Sequence, residues 1–341
     1  MPLPLIPLLF GGASALAAVH GVKKGVEAKN DMDLAKSVNS EAQDIAKRAE
    51  GKIKESQEDT KTAIEDLGEQ KIEVLSGSIN DFVTTFEQIK NVEFQESTGL
   101  DELRNFTPKS AAFKQLKDVS FEAKDIAVNG LGALGGGALL ALGTYNVVMG
   151  GVGGLLVTAT TGTALASLSG AAATNATLAW LGGGALGVGF GMAGGMAVLG
   201  GIVAGPALAL GGSLFAKKAD EAYWNAHSNR EKAREFAEQA EGICSSLNAI
   251  RKRANQLTQL LSELDLPFTS LVSDMESIVW EHGTNWKNYT VEEKSQIKKC
   301  VQTALVIKMI LDTSLLSEDG KLLSESKHAL KKGRDYLALI Y

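Results

Sequence analysis

The chain has 341 residues, a net charge of −6, and 45% hydrophobic residues, with 37 glycines and six prolines. Positive charges are dispersed among acids, which excludes the basic stripe of a nucleic-acid-binding protein. Cys244 and Cys300 are the only cysteines, so no disulfide framework or thiolate metal spacing exists; one bridge between them or two reduced thiols are the open readings.

Ala, Leu, Glu, Lys and Gln dominate both flanks, and all are helix formers. The predicted fold is all-α: an elongated helical bundle or coiled coil with a central glycine-rich apolar helical hairpin region. Four regions are expected, at residues 1–22, 23–125, 126–216 and 217–341.

Residues 1–22 are apolar up to Val19, and Lys23 and Lys24 follow. No basic segment precedes the apolar run, although Ala15-Leu16-Ala17 mimics a cleavage site. Pro2, Pro4 and Pro7 oppose a regular helix in the first turns. A membrane-associated or oligomer-packing segment, a buried apolar arm and a signal peptide all fit. Proline at position 2 excludes N-myristoylation.

Residues 23–125 read as amphipathic helix. From 31 to 73 charge lies nearly all round, with a thin apolar stripe of Val38, Ala42, Ile45, Ala49 and Ile53. Such a helix packs one narrow seam. Leu75, Ile79, Phe82, Phe86 and Ile89 continue at alternating steps of four and three, which is heptad spacing. Residues 96–110 contain Gly99 and Pro108 and read as a connection. A second helix is expected over 109–129.

From Ile126 to Ala216 there are 91 residues without Asp, Glu, Lys, Arg or His, and they hold 25 of the 37 glycines. A membrane-spanning helix needs about 20 apolar residues. Gly183, Gly187, Gly191 and Gly195 recur every four residues, as do the pairs Gly132 and Gly136, Gly150 and Gly154, and Gly201 and Gly205. On a helix such glycines line one face and let a second backbone approach closely, as in membrane helix pairs. In water each glycine costs a helix about 1 kcal/mol relative to alanine, whereas in lipid the backbone must bond internally. Helices are expected at 128–149, 155–181, 185–204 and from 206 on, with joints at Gly150–Gly154 and Gly182–Gly184. Trp180 reads as a packing residue.

In residues 217–341, Lys217, Lys218, Tyr223 and Trp224 follow the uncharged stretch as basic and aromatic residues do at a membrane interface; ordinary packing is the equal alternative. Phe236, Ala240, Ile243, Leu247, Ile250, Ala254, Leu257, Leu261 and Leu264 then form a coiled-coil seam. One helix from Pro206 to Leu264 is predicted, with Pro267 stopping it. Helices at 269–282, 291–316 and 321–341 complete the chain, the second opened by a capping box of Thr290 and Glu293.

No catalytic, cofactor or metal residues stand out. The G-x-G-x-x-G matches at Gly130–Gly135 and Gly189–Gly194 lack the acidic residue about 20 positions on that a dinucleotide site needs. His20, His227, His282 and His328 form no close pair and read as solvent or interface residues. The acids of the flanks alternate with lysines at helix spacing and read as solvated faces. The chain reads as a non-enzyme without a cofactor. Lys114, Lys117 and Lys124 before the stretch, and Lys217 and Lys218 after it, discriminate little between the ends and read as cytoplasmic at both, which agrees with two or four spans.

This order of amphipathic helix, uncharged glycine-rich block (TATTGTALASLSGAAATNATLAWLGGGALGVGFGMAGGMAVLGGIVAGPALALGG from Thr158 to Gly212) and heptad helix resembles the α-helical pore-forming toxins of the haemolysin BL and cytolysin A type. It is also similar to the apolipoprotein L proteins. The toxins hold a shorter apolar hairpin than this one. The resemblance implies a two-state mechanism, in which a shielded block swings out on a trigger, inserts, and oligomerises through the seams. The expected partners are a lipid membrane, further copies of the chain and a partner helical protein, with no nucleic acid. The expected location is a bacterial cytoplasm with membrane association, or secretion. A permanent membrane-anchored scaffold and a large soluble assembly that buries the block are the competing readings.

Overall fold

The structure is a computed structural model that describes residues 15–94, 103, 105–129, 219–316 and 321–340, with the backbone alone for 15–32, 129 and 219–225. Six α-helices are described: α1 (Ala15–Val74), α2 (Asn80–Phe86), α3 (Ala111–Asn129), α4 (Ala219–His282), α5 (Val291–Leu311) and α6 (Ser324–Ile340). Among the described residues no strand occurs, and only Lys90–Asn285 and Leu316–Leu322 form isolated bridges. The fold is all-α.

The described residues divide into two units. The first comprises residues 15–52 of α1 and 219–242 of α4. Its small core is Ala35, Val38 and Ala226. Asn229 donates its side-chain amide to Asn39 Oδ1 at 3.1 Å. Arg230 lies 3.5 Å from Glu41, a surface pair worth at most about 1 kcal/mol. Partners advance in the same direction along both helices, so these stretches run parallel. Of the expected thin stripe, Val38, Ala42 and Ala49 are buried and Ile45 and Ile53 half-buried, while the charges around it stay in water.

The second unit holds the main core. Here too α1 and α4 run parallel. Thr60 Oγ1 donates to the Leu247 carbonyl at 3.1 Å, Arg251 pairs with Asp59, Ser78 bonds Asp265, and Thr85 Oγ1 donates to Glu276 at 3.2 Å. A wide π-type turn, Leu75–Ile79, joins α1 to α2, and Gly77 departs from helical dihedrals there. Leu75, Ile79, Phe82, Phe86 and Ile89 are all buried. Phe86 stacks on Phe82 at 5.3 Å and meets Phe113 at 5.7 Å and Phe106 at 6.3 Å. The α3 helix lies antiparallel to α2, fixed by Lys117 to Glu87 at 2.6 Å and Lys124 to Asn80 at 2.8 Å.

Pro267 does not stop the helix as expected; it lies inside α4, which continues to His282. An internal proline costs a helix about 3 kcal/mol. Leu264 and Phe268 flank it, both wholly buried, and full burial of such side chains stabilises by about 1.5–3 kcal/mol each. Val272 and Met275 extend the buried stripe, so packing on both sides of the proline outweighs the lost bond. The helix ends instead at Gly283, whose φ of 74° is the left-handed conformation of a helix C-terminus.

The helix expected at 291–316 ends earlier, at Leu311, with Asp312 as its C-cap. Its start is the expected capping box: Glu293 N–H donates to Thr290 Oγ1 at 3.2 Å, and Thr290 N–H donates to Glu293 Oε2 at 2.7 Å. His282 Nε2 stands 3.0 Å from the other oxygen of Glu293, tying the end of α4 to the start of α5. Thr290→Ala should cost about 1 kcal/mol and lower the melting temperature by about 2–4 °C. Unchanged thermal unfolding by circular dichroism would remove the box as a stabilising feature. Residues 303–307 of α5 are buried in succession, as in a helix covered on all sides. Gly333 brings α6 close to it: a Cβ there would meet Leu260 Cδ2 at 2.6 Å and Ile310 Cδ1 at 3.1 Å.

Candidate functional site

The residues predicted to act in a membrane fall mostly outside the described residues. These are Gly132, Gly136, Gly150, Gly154, Gly183, Gly187, Gly191, Gly195, Gly201, Gly205, Lys217 and Lys218. Tyr223 and Trp224 lie in the first turns of α4, where the backbone alone is described. Among the described residues no helix is long and apolar enough to cross a membrane, and no cluster of His, Cys, Asp and Glu fits a metal ion.

The seam residues lie on α4. In the first unit Phe236 is half-buried and Ala240 is buried. In the second unit Ile243, Leu247, Ile250, Ala254, Leu257, Leu261 and Leu264 are all buried. Both cysteines are free thiols. Burial pushes the Cys300 thiol far up, with Asp274 adding to the effect, so it is inert where it stands. His227 lies 3.4 Å from Arg230, and exposed His328 stands 3.0 Å from the Ser324 carbonyl.

The helices flanking the uncharged stretch carry two features of their own. Exposed Phe121 and Val128, 45% and 79% accessible, lie seven residues apart on α3, Phe121 before the stretch and Val128 at its start. Lys117 Nζ stands 5.7 Å from the Phe121 ring centroid. In the second unit α3 runs antiparallel to α2, and α4 runs parallel to α1. Within the second unit α3 and the part of α4 from Ile243 on therefore run in opposite directions.

Lys71 is an unexpected core residue, 1% exposed among Ile64, Leu67 and Leu75. It occupies a seam position, four residues after Leu67 and four before Leu75. Burial lowers its ammonium from 10.5 to about 7, and the Asp312 carboxylate acts the other way. Asp312 also pairs with Lys308.

A second unexpected feature is a cleft of 480 Å³ lined by Glu93, Phe94, Trp286, Lys287, Val291, Lys294, Ser295 and Lys298. Its floor depends on the bridge between the segment after α2 and the turn after α4. Lys90 N–H donates to the Thr284 carbonyl at 2.7 Å, and Trp286 N–H donates to the Lys90 carbonyl at 3.1 Å. Asn91 takes a left-handed φ of 60° there, which asparagine tolerates, and its amide meets Asn285 Oδ1 at 3.3 Å. Phe94 thereby packs edge-on against Trp286 at 5.4 Å. The α5 wall is one helix face, since Val291, Lys294, Ser295 and Lys298 recur at steps of three, one and three. That spacing was readable once the capping box fixed the helix start; the aromatic floor was not.

Comparison with protein-family models, curated proteins and solved structures finds no match to this chain.

Proposed function

We propose that the chain is a membrane-active all-helical protein that inserts its uncharged segment into a lipid bilayer and assembles with further copies of itself. The observation that carries this reading is the run of 91 residues without an ionisable side chain in a chain whose flanks are highly charged. Burying one charge at a bilayer centre costs about 3 kcal/mol on insertion scales, and this run asks for none. The outward-facing Phe121 and Val128 support it too, as exposed apolar side chains on α3 where the uncharged run begins.

The mechanism rests on a charged helical body, held together within one chain by the α1–α4 pairing, that carries the insertion segment. No residue has a catalytic role in this reading. Size-exclusion chromatography with and without detergent tests it. The expected result is a water-soluble form that converts to a larger, detergent-dependent assembly on exposure to lipid. Detergent dependence from the outset indicates a permanent anchor instead. A large particle in water that never engages lipid indicates a soluble assembly. Either outcome overturns the insertion reading.

A further inference from the structure

We infer that the cleft between α5 and the Phe94–Trp286 pair is a binding site for a phosphate monoester carried on an apolar or flat body. The inference stands apart from the insertion reading, since no cleft residue belongs to the uncharged segment. The whole chain carries a charge of −6, yet this cleft is lined by three ammonium groups and one carboxylate, that of Glu93. Lys287, Lys294 and Lys298 have no ion pair among the described residues. Of the two carboxylates beside the wall in sequence, Glu292 is exposed and Glu293 is committed to the Thr290 N–H and His282.

Three cations against the single carboxylate of Glu93 leave the described lining net positive, which raises the local potential and favours an anion with several acceptor oxygens. Ser295, exposed on the same helix face, adds a hydroxyl donor. The floor selects what carries the anion. Half-buried Phe94 presents aromatic carbon to the ligand body, with Trp286, 7% exposed, packed against it at 5.4 Å. Lys294 Nζ, 6.0 Å from the Trp286 ring centroid, links the two halves of the site. Val291, 78% exposed at the rim, offers a further apolar contact. A volume of 480 Å³ lies within the about 300–1,000 Å³ of small-molecule clefts.

Two sources carry this chemistry: a soluble phosphate monoester and the headgroup of a phosphatidic-acid-type lipid. Full-length protein would be titrated with phenyl phosphate, followed by calorimetry and by tryptophan emission. It would also be co-sedimented with phosphatidylcholine vesicles that contain or lack phosphatidic acid. The K294Q/K298Q double variant and S295E, all changes on the face of α5, would be compared with K331Q/K332Q on α6. The expected result is saturable binding of phenyl phosphate that weakens about tenfold or more in the first two variants and is unchanged in the third.

Phosphatidic-acid-dependent sedimentation that phenyl phosphate displaces and K294Q/K298Q abolishes assigns the lipid as source. Phenyl phosphate binding with vesicle sedimentation indifferent to the variants assigns a soluble ligand. Both outcomes support the site. Absence of binding to either probe overturns it, as does equal binding by parent and K294Q/K298Q protein of matching helical content. S295E keeps all three lysines and adds a carboxylate on an exposed position, so loss of binding there alongside intact helicity separates the site from folding.

Discussion

Replacing Lys71 with methionine should stabilise the second unit and flatten its response to pH. Methionine fills nearly the same volume without the charge. Lys71 releases its proton at about 7 when folded, against 10.5 ordinarily. Between these values the unfolded chain holds a proton that the folded chain has lost, so stability rises with pH across that window. Acidification from 10.5 towards 7 withdraws that stability, and below about 7 both states are protonated and the cost of the buried ammonium is complete. A displacement of this size corresponds to about 5 kcal/mol at most. Asp312 loses one cationic neighbour in the variant but keeps Lys308, so a net gain of about 3 kcal/mol near pH 6 is the reasonable expectation. Guanidinium unfolding at several pH values measures it. A variant no more stable than the parent at pH 6, or one with the parent's slope above neutrality, would show that Lys71 is already compensated in place.

The second large effect is expected at Phe86. Its ring is wholly buried and meets Phe82, Phe94, Phe106 and Phe113. These side chains come from α2, from the connection between α2 and α3 and from α3, so one ring closes the contact between them. Truncating such a residue to alanine costs about 3–5 kcal/mol, the transfer term plus the unfilled cavity. Phe86→Ala should lower the guanidinium midpoint sharply without changing the helical content of the surviving folded state. A loss under about 1 kcal/mol would mean that the cluster collapses around the gap, and that α3 is held mainly by Lys117 and Lys124.

The long helices were legible because their apolar residues keep one period over many turns. Leu247, Leu257 and Leu264 mark a face that a charged surround cannot hide, and Thr290 with Glu293 marked the start of α5. Pro267 misled because a local rule was applied where tertiary burial decides. Nothing near Pro267 in sequence reveals that Phe268 packs against Phe82 of α2, nearly 190 residues earlier. Lys71 was hidden for a related reason. A lysine on a charged helix reads as solvated, and its seam spacing between Leu67 and Leu75 becomes informative only when the opposing surface is known. The cleft depends on a bridge between Lys90 and Asn285, a pairing that no periodicity encodes. Composition, by contrast, exposed the uncharged segment at once, because the absence of charge needs no partner to be read.

The central claim, insertion of the uncharged segment into lipid, is tested most directly by dye release from sealed vesicles. The intact chain would be compared with a variant in which residues 126–216 are replaced by a short Gly-Ser linker, across acidic and neutral pH and across zwitterionic and anionic lipids. Release by the intact chain under at least one of these conditions, and none by the linker variant, is the expected result. Vesicles that stay sealed and unbound under every condition, or equal release by both proteins, would contradict it.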